Sequence, residues 1–199
     1  MKKAHADVAS HSQFNWLMNY QKYFEKYNHE LFDLLNQVDS NLIEKSIEII
    51  RKIKRNNNTI YIVGNGGSSS IASHVSVDFT KAAKIKSMTF NNSNLITCYA
   101  NDFGFENWVT EAIKSYCTSK DLLILISSSG KSKNIINAAN YCVNNKIELI
   151  TFSGFNQNND LQKFGSVNFH IDSKNYNYVE MAHHIILVSI VDILTENPY

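Results

Sequence analysis

Two serine-rich segments carry the first chemical signal in this sequence. One is TIYIVGNGGSSS, residues 59–70; the other is DLLILISSSGKS, residues 121–132. Each starts as an apolar run, stops at small and hydroxyl residues, and then enters a helical pattern. Free backbone N–H groups in a first helical turn, joined by hydroxyl donors, form a cradle for an anion. Two such loops leaving one sheet point to a phosphorylated ligand. Glycine in GNGGSSS allows the backbone to approach a ligand closely. Gly64 and Gly66 match a G-x-G-x-x-G motif, but Ser69 stands where its third Gly belongs, and no P-loop Lys-Ser or Lys-Thr follows. A bound nucleotide is therefore not expected. SSSGKS is the more specific loop. It sets four hydroxyls and a Gly within six residues at the C-terminal end of a strand, where open α/β sheets bind ligands. A plain helix cap would account for one of those serines.

Titratable residues cluster in two further places. His74 and Asp78 stand four apart on the helix leaving the first loop, so they share a face. That spacing suits two metal ligands, or a base with its orienting partner. It also suits an ordinary surface pair. Glu180, His183 and His184 sit near the start of the last helix, in YVEMAHHIILVSIV. Glu180 is three residues before His183 and four before His184, so either ring can share its face. These residues suit catalysis, metal binding or a polar rim. In NDFGFENWV, read as a loop entering a helix, Asn101 and Asp102 suit sugar hydroxyls, whereas Phe103, Phe105 and Trp108 suit core or subunit contacts.

The elements that must position these groups follow from the pattern. Residues 13–55 read as helical, with Phe14, Leu17, Tyr20, Phe24, Tyr27, Leu31 and Leu34 at spacings of three and four, broken near residues 37–40 by a helix cap. From residue 59, strands and helices alternate. Strands are expected at 60–63, 122–126, 147–152 and 167–171, with short extended pieces at 87–90 and 96–98. Helices are expected at 70–84, 107–116, 133–144 and 179–194. Fully apolar strands between helices mean a parallel sheet covered on both faces.

Composition bounds the function classes. A chain of 199 residues with 44% hydrophobic and 19% charged residues fits one domain with a sizeable core. A net charge of +1 argues against bulk electrostatic binding of nucleic acid. Cys98, Cys117 and Cys142 lie far apart with no CxxC pair, which fits a reducing compartment. The start, MKKAHADVASHSQF, has no apolar stretch typical of a signal peptide, and no segment reads as long and apolar enough to span a membrane. The expected location is the cytoplasm.

GNGGS, a helical His with an acid four residues on, NDFGF, and a strand ending in ISSSGKS together resemble the sugar isomerase (SIS) domain proteins. Within them the pattern is most similar to the phosphoheptose (sedoheptulose 7-phosphate) isomerases, from about Thr59 to the C-terminus. The resemblance implies a flavodoxin-like three-layer α/β sandwich with a five-stranded parallel sheet. Residues 1–58 would form a helical segment used in oligomerisation, and 59–199 the SIS domain. It implies a homotetramer with sites at subunit interfaces, acting on a phosphorylated sugar, with no membrane or direct nucleic-acid partner. Ser68, Ser127, Ser128, Ser129 and Ser132 would hold the phosphate. Gly66 and Gly67 would line the same loop, and Asn65 and Asp102 would contact the sugar. The implied reaction is a ketose–aldose shift through an enediol(ate), leading to a surface-glycan precursor.

The sequence also departs from that family. Asp78 stands where the family has a Glu that serves as base and zinc ligand. His74 matches a zinc ligand. Aligning His183 with a family His puts Glu180 at a Gln ligand, and the final catalytic His then falls on Val188. A one-residue shift puts it on Leu187, with Val179 at the Gln position. Neither register restores it. The resemblance leaves room for one zinc per subunit, held by His74, Asp78, Glu180 and His183, with Asp78, His183 and His184 as acid–base candidates. Two readings stand: an isomerase with an altered acid–base set, and a non-catalytic SIS protein that binds a phosphosugar or a protein partner.

Overall fold

Strands that read as unbroken apolar runs cannot leave a face in water, so helices must cover both sides. The computed structural model has that arrangement and describes residues 6–195. Residues 1–5 and 196–199, and the side chains of residues 6–18 (Phe14 and Leu17 of the expected helical row among them), lie outside the described set. The chain divides into two units, with the boundary between Gln37 and Val38.

The first unit is one helix, α1 (Ala6–Asn36). Gln21 with Glu25, Lys26 with Glu30 and His29 with Asp33 pair four residues apart along it, a spacing that supports a helix through its own side chains. Tyr23, Phe24 and Phe32 are exposed on it.

The second unit runs α2 (Ser40–Arg55), β1 (Ile60–Gly64), α3 (Gly67–Lys81), β2 (Ser87–Thr89), α4 (Ser93–Phe103), α5 (Trp108–Tyr116), β3 (Leu122–Ser127), α6 (Lys133–Asn144), β4 (Glu148–Gly154), a short 3-10 turn (Asp160–Lys163), β5 (Val167–Ile171) and α7 (Tyr176–Leu194). All strand pairs are parallel, in the order β2-β1-β3-β4-β5. That is the flavodoxin-like order. Alternate residues point to opposite faces. Tyr61, Val63, Leu123 and Leu125 join Trp108, Val109, Ile135 and Ala138 in the core beneath α5 and α6. The intervening Ile60, Ile62, Ile124 and Ile126 are equally buried, and α2, α3 and α7 pack on that other side.

Four expectations need correction. Helix α2 belongs to the sheet-bearing unit rather than to a separate 1–58 segment, because Ile47, Ile50 and Ile53 are buried and the helix packs on α7 and β5. Residues 96–98 are not extended. Asn92 caps α4 by accepting from the Asn94 N–H, and Leu95, Ile96, Tyr99 and Ala100, at helical spacing, pack on the core. Asn101, Asp102 and Phe103 therefore end a helix instead of forming a loop. Helix α7 passes the length and hydropathy test for a spanning helix, contrary to the expectation that no segment would. Its apolar residues Val179, Ala182, Ile186, Leu187, Ile190 and Val191 are buried where the helix packs on α2, α3, β4 and β5.

The fourth correction concerns His183, expected at a catalytic or metal site. The structure puts it in the core, 0% exposed. Its Nε2–H donates to the Ser153 carbonyl at 3.0 Å, and its ring stands edge-on to Phe152. Burial, only partly offset by that hydrogen bond, pushes its pKa down to about 4. An unfolded histidine takes up its proton near 6.5, so the unfolded chain binds one more proton between these values. Stability should be fullest above pH 6.5 and fall by about 3 kcal/mol on going down to pH 4. Urea titrations across that range should show this component of the slope missing in His183→Gln. An unchanged slope would mean that the ring titrates freely.

Candidate active site

Strand β1 lies beside β3, with Gly64 paired to Ile126. The chain leaves β1 through α3 on one face and leaves β3 through α6 on the other, so the two loops part and open a crevice at the strand ends. The first loop is tight. A Cβ on Gly64 would lie 2.6 Å from the Ser68 Cβ, and Gly66 takes φ +55. Helix α3 starts at Gly67, three residues before the expected 70, so Ser68, Ser69 and Ser70 fill its first turn. The Ser69 hydroxyl donates back to the Gly66 carbonyl at 2.7 Å.

The second loop turns at Gly130, φ +63, whose N–H donates to the Ser127 carbonyl at 2.8 Å. Ser129 Oγ accepts from the Lys131 N–H. Ser127 Oγ donates to Ser132 Oγ at 3.1 Å, and Ser132 precedes α6 without a side-chain cap bond. The two loops meet where Ser68 Oγ and Ser128 Oγ stand 3.5 Å apart, both buried. Asn65 and Asn134 close the crevice wall with a reciprocal amide pair, each Nδ2 donating to the other's Oδ1 at 2.9 Å. Asn134 was not among the expected residues. Its place in the first turn after SSSGKS is the signal that could have found it.

Helices α3 and α7 bring a second group together. His74 Nε2 lies 3.1 Å from Asp78 Oδ2, and His74 Nδ1 lies 2.7 Å from His184 Nε2. The imidazoles meet edge to face at 4.9 Å. Asp78 as a carboxylate only accepts, so the proton on His74 sits on Nε2 and its Nδ1 accepts from His184 Nε2–H. His184 Nδ1 is then left with a free lone pair. Burial first, and then the neighbouring His74, hold the His184 pKa below its ordinary value, against the opposing pull of Asp78. Imidazole near neutral pH is therefore the free base.

The expected metal set does not assemble. Among the described residues no three His, Cys, Asp or Glu form a group able to hold a metal ion. His74 has Asp78 and His184 on opposite ring nitrogens, so one cation cannot meet all three, and His183 is in the core. Glu180 turns to the first loop instead: a Cβ on Gly67 would lie 2.1 Å from its Oε2. Burial raises the pKa of that carboxyl. Asp102 is exposed at the end of α4, where it accepts from the Asn101 amide. None of its hydrogen bonds among the described residues reaches the serine loops.

The Gly67–Glu180 contact makes a coupled prediction. The atoms met are the mobile carboxylate end of Glu180, so Gly67→Ala should turn that side chain away from the loop at a cost of no more than about 1 kcal/mol, and Glu180→Ala in the same chain should recover most of that loss. Chemical denaturation of the two single variants and the double variant checks it. Additive losses would mean that the two residues do not touch.

The family assignment rests on comparison with known proteins. Residues 22–154 match the model of the SIS domain. Phosphoheptose isomerase 2 of Campylobacter jejuni is 34% identical over 128 residues, covering 58% of this chain and 62% of that one, so the match spans less than two thirds of that relative. The phosphoheptose isomerase of Buchnera aphidicola is 29% identical over 168 residues, covering 82% of this chain and 86% of that one. Among solved structures, a phosphoheptose isomerase from Neisseria gonorrhoeae superposes with a TM-score of 0.80 at 18% identity, over 88% of this chain and 99% of that one. The last of these is a likeness of fold, and it repeats the layout of sheet and helices described above. With the family model covering well over half of its length, the chain belongs to the SIS domain family and groups there with the phosphoheptose isomerases.

Proposed function

We propose that this protein is a phosphosugar isomerase, converting sedoheptulose 7-phosphate to D-glycero-D-manno-heptose 7-phosphate, a precursor of surface glycans. The observation that carries this reading is the meeting of two hydroxyl loops at the β1/β3 crevice, with Ser68 and Ser128 3.5 Å apart at helix starts. A phosphate there takes N–H donors from α3 and α6 and hydroxyls from both loops. His74 lies seven residues along α3 from Gly67, roughly 10 Å at 1.5 Å per residue. A six- or seven-carbon sugar anchored by its phosphate reaches about that far with its carbonyl end.

The chemistry needs one base and one proton donor. His184 Nδ1 removes the proton from carbon 1 of the ketose, giving an enediol(ate), and returns it to carbon 2. Asp78, acting through His74, fixes the tautomer of His184 and stabilises the imidazolium as it forms. Glu180, with its raised carboxyl pKa, is placed to pass the proton between the two oxygens. This reading includes a homotetramer in the cytoplasm, and the three free cysteines suit a reducing compartment. A second reading keeps the binding loops without turnover. It is favoured by Val188 or, one register away, Leu187, the aliphatic residues on which the resemblance puts the family's final catalytic His.

Purified protein is expected to turn over sedoheptulose 7-phosphate, and to continue to do so with a chelator present. His184→Gln should lower kcat about 100-fold or more. Ser128→Ala should chiefly raise KM, about tenfold, through a lost bond to a charged group. The acid limb of kcat/KM should fall below the ordinary histidine value, as the depressed His184 pKa requires. Absent turnover, with thermal stabilisation by the sugar phosphate, would replace the first reading with the second.

A further inference from the structure

A groove of about 880 Å³ opens at the end of the sheet opposite the serine loops, between the C-terminus of α2 and the segments leading into β3 and β4. Lys52 and Arg55 reach it from α2, Lys120 from the turn before β3, and Lys146 from the turn before β4. All four are exposed. Among the described residues none has a carboxylate within ion-pair reach. They are not needed to finish the helix either. The backbone N–H groups of Asn56, Asn57 and Asn58 already take the carbonyls of Lys52, Lys54 and Ile53. Two carboxylates also line the groove, Glu48 and Glu148, and Glu148 accepts the Ser166 hydroxyl. The balance remains positive in a chain whose total is only +1.

The groove is braced rather than loose. Asn58 Nδ2 donates to the Lys120 carbonyl at 2.7 Å, and the Thr59 N–H donates to the buried Asp121 at 2.8 Å. Ile49 and Ile53 form an apolar wall beside the cations. Unpaired cations from three separate segments around one concavity, with amide donors between them, favour a ligand carrying several negative charges over a single one.

We propose that this groove is a second anion site, distinct from the serine loops, which takes a multiply charged phosphoryl compound. Its charges sit on Lys52, Arg55, Lys120 and Lys146. Because these side chains are exposed, binding is strongest at low ionic strength.

The probe is inorganic tripolyphosphate, titrated calorimetrically into the 199-residue chain at low salt, with inorganic phosphate as the comparison carrying one phosphoryl group. Tripolyphosphate should bind saturably and at least tenfold more tightly than phosphate. Lys120→Ala with Lys146→Ala should weaken it at least tenfold, while melting of the ligand-free double variant stays that of the parent. Ser128→Ala, in the serine loops, should leave tripolyphosphate affinity unchanged. Three results would each overturn the site: no saturable binding, equal affinity in the lysine double variant, or loss of binding in Ser128→Ala. The serine-loop reading is scored separately, by turnover.

Discussion

The pairing of β1 with β3 is the constraint on which the functional end of this molecule depends. Their connections leave on opposite faces, so a gap between the loops follows from topology before any side chain is considered. The strands are held by burial. Every residue of β1 and β3 is inside, and the register that aligns Ile60 with Leu122 aligns Gly64 with Ile126. A slip by one residue would turn Tyr61 and Leu123 to the wrong face and carry both serine loops out of line. The precision of the proposed anion site, made of small polar groups, is thus supplied by large apolar residues inside the strands.

A layer of buried amides transmits that precision to the loops. Asn159 is 3% exposed, and its Nδ2 donates to Ser153 Oγ and to the Gly154 and Asn156 carbonyls. Its Oδ1 stands where a Cβ on Gly130 would be, 2.0 Å away, so the turn of the second loop is shaped against it. The Leu161 N–H then holds the Gly130 carbonyl at 3.1 Å. Buried polar groups satisfied in this way fix one loop conformation, since any other would leave them without partners.

Much of this was legible in the sequence where physics acts locally. The apolar runs at 122–126 and 167–171 became strands with those starts, and the break near residue 39 carries its cap, Asp39 accepting from the Asn41 N–H. The serine loops were legible because hydroxyls and glycines after a strand have few other uses. Long-range choices were not. Residues 96–98 read as extended from their own composition, yet packing of Ile96 and Tyr99 decided for a helix. Adjacent histidines on α7 are equivalent in spacing, but about 100° apart around the helix. That rotation sent His183 into the core and His184 to His74, and only the packing of α7 on α3 and the sheet settles it. Asn134 was missed because its meaning lies in a partner 69 positions away.

The Asn65–Asn134 pair also bears on how the molecule ages. Asn65 is followed by Gly66, and an Asn-Gly step is chemically the weakest in a chain, because an unhindered glycine nitrogen can attack the asparagine side chain and expel ammonia. Here the side chain is held by two hydrogen bonds to the carboxamide of a buried partner, away from the freely rotating state that the attack requires. Once ammonia is lost, position 65 carries a carboxylate, which only accepts. It can still take the proton of Asn134 Nδ2, but it offers nothing to Asn134 Oδ1, and a new negative charge stands beside the two serine loops. Chemical wear at this one step would leave the buried Asn134 oxygen without its donor, and so would loosen the crevice wall between the two serine loops.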